Sequence, residues 1–71
     1  MIEYKGKLHS SIPRVLGISG DEMYELVCYE EGGPTHLRIS GGNLGKTIEE
    51  MGFENIYGTI KGPIKPDRRV M

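Results

Sequence analysis

Residues 23–40 read MYELVCYEEGGPTHLRIS. Two apolar-rich runs flank Glu31-Gly32-Gly33-Pro34, a dense cluster of turn formers. The first run, Met23–Glu30, is apolar on both faces near its centre, at Leu26, Val27 and Cys28. A strand with that pattern lies inside a sheet or beneath another layer. The second run, Thr35–Ser40, alternates, with Leu37 and Ile39 inward and His36 and Arg38 outward. The spacing predicts an antiparallel hairpin.

Outward from this hairpin the chain offers further strands. Ile2–Leu8 alternates, with Ile2, Tyr4 and Leu8 on one side and Glu3, Lys5 and Lys7 on the other, as in a half-buried strand. Ile12–Ile18 carries Ile12, Leu16 and Ile18 in phase and reads as a second strand, beginning at or edged by Pro13, which has no amide donor. Asn55–Lys61 (NIYGTIK) reads as the last strand, with Ile56 and Ile60 on one face and Tyr57 and Thr59 opposite. The helix candidate is Asn43–Met51. Asn43 is its expected cap, Ile48 and Met51 its inward face and Gly52 its stop. The order β-β-β-β-α-β predicts a mainly β fold. It would be either a five-stranded antiparallel curled sheet or a small SH3- or OB-like barrel, with one short helix before the last strand.

Composition agrees. The 71 residues include 11 glycines and 4 prolines but no alanine, and isoleucine and tyrosine lead their classes. Strands and turns suit that mixture better than helices do. A chain of this size makes one domain and buries only about 60% of its unfolded surface, so its core is marginal. A single cysteine provides no disulfide framework, and Cys28, His9 and His36 lack the close pairing of zinc ligands. Cys28 is expected to be a small buried residue. His9 and His36 are expected to be surface polar groups. No cofactor or metal is implied. Residues 1–62 are expected to form one domain and 63–71 a basic, proline-containing tail.

The net charge of −1 exerts no global pull on nucleic acid or anionic membrane. It is uneven: residues 21–31 carry five acids and no base, whereas 61–71 carry Lys61, Lys65, Arg68 and Arg69 against Asp67. MIEYKGKL lacks the apolar core of a secretory leader, and no run is long enough to span a membrane. A cytoplasmic location and no membrane partner are therefore expected.

One stretch invites an enzymatic reading. Ser40–Thr47, SGGNLGKT, ends like a phosphate-binding loop, but that loop needs G-x-x-x-x-G-K-[ST], and five positions before Gly45 stands Ser40. The parallel sheet such enzymes use also exceeds this length. The simplest expectation is a glycine-rich connection entering a helix. A narrower possibility is a non-catalytic anion site at Gly41, Gly42, Asn43, Lys46 and Thr47. In the tail, Pro63, Pro66, Arg68 and Arg69 fit P-x-x-P-x-R, a ligand pattern for aromatic grooves. Nucleic-acid binding would need aromatics near the bases. Tyr57 qualifies, with Tyr4 added if the first and last strands pair.

No catalytic constellation emerges, so the protein is not expected to be an enzyme. The expected function is a soluble, non-catalytic protein-interaction module, a homo-oligomer or a subunit of a larger assembly. The alternative is a small-barrel binder of a phosphate-bearing ligand or nucleic acid through the Gly41–Thr47 loop and the basic tail.

Overall fold

The computed structural model describes residues 1–65. It is mainly β, and its elements run β1 (Ile2–Lys7), α1 (Ile12–Val15), β2 (Met23–Glu30), β3 (Gly33–Ser40), a 3-10 turn (Gly41–Asn43), α2 (Leu44–Glu50) and β4 (Tyr57–Ile64). The four strands form one antiparallel sheet in the order β1-β4-β2-β3. The predicted hairpin is β2–β3, in register from Met23↔Ser40 to Glu30↔Gly33. Leu26, Val27 and Cys28 are all buried at the middle of this strand, which is paired on both sides.

Two fold expectations are corrected. Among the described residues the sheet has four strands and is open, with β1 and β3 as its edges and no closure into a barrel. The missing strand is Ile12–Ile18, which holds α1 instead. Pro13 sits in the first turn of α1, where its lost amide costs nothing and its fixed φ suits a helix. Ile12 and Leu16, four apart, both pack on the core, so the spacing that resembled strand alternation is a helical face. Gly17, at φ +78°, then ends the helix. Its amide donates to the Arg14 carbonyl and that of Ile18 to the Pro13 carbonyl, the paired bonds of a Schellman motif.

The second helix ends in the same way. Gly52 stands at φ +75°, its amide donating to the Glu49 carbonyl and that of Phe53 to the Ile48 carbonyl. This places Phe53 back over Ile48, and both are fully buried. The inward face of α2 is Leu44 and Ile48, whereas Met51, expected inward, is 51% exposed. Asn43 occupies the capping position, but its amide nitrogen donates to the Ser40 hydroxyl rather than its side chain accepting from the helix.

Both helices lie on one face of the sheet. There Leu8, Ile18, Tyr24, Leu26, Cys28, Leu44, Ile48, Phe53 and Ile60 form a single cluster, with Ile2, Tyr4, Leu37, Ile39 and Ile56 at its margin. Burying each large side chain contributes about 1.5–3 kcal/mol, set against the entropy of ordering the chain. Leu8 seats directly on Gly58 of β4, where a Cβ would collide with it and with the Val27 carbonyl. β4 runs on to Ile64, which pairs with Met23, so the ordered sheet extends two residues past the boundary expected at 62.

Candidate functional site

The glycine-rich loop is held by close packing. A Cβ on Gly41 would stand 2.8 Å from Ile18 and 3.0 Å from the Ser19 carbonyl, and one on Gly45 would stand 2.5 Å from the Ser10 carbonyl. The amides of Gly41 and Gly42 donate to the carbonyls of Glu22 and Gly20, both at 2.8 Å. These two amides are therefore committed to backbone and unavailable to cradle a phosphate. The Leu44 amide likewise donates to the Gly41 carbonyl.

What the loop does line is a half-open cleft of about 490 Å³ between it and α1. Arg14, Ser19, Gly41, Gly42 and Lys46 are among its walls. Of the residues predicted to hold an anion, Lys46 is exposed at this cleft, Asn43 is tied to Ser40, and Thr47 is half-buried away from the cleft wall. Arg14 joins Lys46 there; the strand assigned to Ile12–Ile18 had concealed that proximity. Of the predicted tail residues, Pro63 lies within β4 and lines a smaller cleft with Asp21 and Glu22. Pro66, Arg68 and Arg69 lie outside the described residues.

Among the described residues, the opposite face of the sheet bears no helix. In strand register its rows run Lys5-Thr59-Val27-His36 and Glu3-Lys61-Glu25-Arg38. At one end of these rows Tyr29 and Tyr57 stack, with centroids 5.8 Å apart and planes tilted by 38°. They remain 47% and 51% exposed. Aromatics exposed side by side on the two central strands form a patch of the kind that marks a contact surface. Sequence reasoning found Tyr57 and missed Tyr29, because the pair exists only once β2 and β4 are neighbours. Tyr4 faces the helices instead, its hydroxyl donating to the Lys7 carbonyl at 2.6 Å.

The remaining reactive groups are ordinary in their settings. Burial pushes the Cys28 thiol above its usual value, and the Glu30 carboxylate adds to the effect. His9 pairs with Glu54 at 3.5 Å, both partly exposed. His36 is exposed on β3. Among the described residues, no three His, Cys, Asp or Glu side chains cluster as metal ligands, and no helix is long and apolar enough to cross a membrane. No protein-family model, curated protein or solved structure matches this chain significantly.

Proposed function

We propose that this protein is a small non-catalytic interaction module and that it binds through the helix-free face of its sheet. The observation that carries this reading is the half-exposed Tyr29–Tyr57 pair, on the two central strands at one end of that face. Tyrosine offers large contact area at low conformational cost and is enriched at binding surfaces. The edge strands β1 and β3 add unpaired backbone beside it.

A second reading has one observation in its favour. Arg14 and Lys46 both line the cleft beside the glycine-rich loop, so a phosphate-bearing ligand would meet two cations there. It would be held by side chains, since the amides of Gly41 and Gly42 are already bonded.

Amide chemical shifts separate the two. Spectra would be recorded across a dilution series, then with inorganic pyrophosphate, then with a single-stranded oligonucleotide. The interaction reading expects changes at Val27, Tyr29, Tyr57 and Thr59 on dilution or with the oligonucleotide, and a silent cleft. Saturable changes confined to Arg14 and Lys46 on adding pyrophosphate would replace it with the second reading.

A further inference from the structure

One row of the helix-free face is electrostatically self-complementary. Across the sheet, Glu3 of β1 is beside Lys61 of β4, Lys61 beside Glu25 of β2, and Glu25 beside Arg38 of β3. The signs alternate −, +, −, +, and reversing the row turns every sign into its opposite. Among the described residues, none of the four makes an ion pair within 4.0 Å.

Resting on the interaction reading above, we propose that the occupant of this face is a second copy of the same chain, packed sheet to sheet about a two-fold axis. The axis runs parallel to the strands, midway between β4 and β2. Such a rotation reverses the strand order and keeps each row against itself. Glu3 then faces Arg38 of the second copy, and Lys61 faces Glu25 of the second copy, each pair occurring twice. The same operation sets Tyr57 against Tyr29 of the second copy, so four tyrosines close into one cluster. Isologous contacts of this kind are the commonest way identical chains associate. Aligned sheet packing, with strands crossing by about 30°, is a standard solution for two such faces.

The charges favour this occupant over a nucleic acid. The face carries Lys5, Lys7, Lys61 and Arg38, but Glu3 and Glu25 interrupt them. A polyanion would meet those two carboxylates, whereas a second copy supplies each with a cation. Four strands about 4.8 Å apart and about six residues long give a footprint of roughly 400 Å². That is small for a specific interface, so the dimer is expected to be weak and concentration-dependent.

The test is sedimentation equilibrium on the wild type, on Glu25→Lys, on Lys61→Glu, and on an equimolar mixture of the two variants. The wild type is expected to show a monomer–dimer equilibrium. Each variant alone sets like charges opposite each other and should dimerise about tenfold more weakly. In the mixture, Lys at position 25 of one chain meets Glu at position 61 of the other, and Lys61 meets Glu25, so association should recover. Because each variant keeps its own intramolecular mismatch, recovery on mixing reports the contact between copies and not fold stability. A dimer insensitive to both changes, or one not rescued by mixing, would overturn this geometry in favour of edge pairing. A wild type that stays monomeric to about millimolar concentration would overturn the second copy as occupant. In that case, oligonucleotide-induced shifts at Tyr29 and Tyr57 would leave the interaction reading standing, and a silent face would remove both.

Discussion

The backbone of Gly45 lies so close to the carbonyl oxygen of Ser10 that a Cβ on residue 45 would stand 2.5 Å from it. The obstacle is backbone, which cannot swing aside as a long side chain would. α2 is thereby seated against the entry to α1, and the glycine that makes SGGNLGKT resemble a phosphate loop has a packing role. Gly45→Ala is expected to cost about 1–3 kcal/mol, the range for forcing extra atoms into a packed site. Thermal or urea unfolding of the variant measures this directly. A neutral substitution would mean that α2 can move away from Ser10 at no cost, and the packing account of the loop would fail.

Acid should loosen the contact between the start of α1 and the loop before β4. Hydrogen bonding from Ser10 is the main reason the Glu54 carboxyl sits below its ordinary value; partial burial opposes it, and His9 adds to the lowering. A carboxylate with a lowered folded-state pKa contributes stability that is present above its unfolded value and disappears as pH falls through the folded one. Stability should therefore decline more steeply in the wild type than in Glu54→Gln as pH drops from about 6 to about 3. Parallel melting-temperature curves for the two proteins over that range would show that the bond contributes nothing.

The Cys28 thiol is fully buried between paired strands, and burial raises its pKa. The thiolate is the form that attacks a thiol reagent, so the folded protein should resist modification and react only as fast as it opens. The labelling rate should rise with urea in step with unfolding. Fast labelling in native buffer would contradict a closed core at Cys28.

The parts of the fold that were legible in sequence are those set by neighbours along the chain. Glu31-Gly32-Gly33-Pro34 between two apolar runs defines β2–β3 because turn chemistry and alternation are both local. Gly52 announced the end of α2 for the same reason. Ile12–Ile18 misled because Ile12 and Leu16 satisfy a helix and a strand alike. The deciding signals were Pro13 in a first turn and Gly17 after the last, a pairing that repeats the stop at Gly52. The surface features depended on pairing at a distance. Tyr29 meets Tyr57, and Glu25 lies between Lys61 and Arg38, only through the order β1-β4-β2-β3. Arg14 and Lys46 come to line one cleft only through the packing of two helices that no short stretch encodes.

That strand order also sets a timetable for the growing chain. β1 is made first, yet its partner is β4, the last of the four to be synthesised, with Ile2 opposite Gly62 and Lys7 opposite Tyr57. During elongation the hairpin β2–β3 is the only part of the sheet that can assemble, and an isolated hairpin is marginal in water. β1 must wait, its apolar side unmatched, until residues 57–64 arrive and insert between it and β2. The sheet is thus completed late, at the slower pace of folds whose contacts join distant parts of the chain.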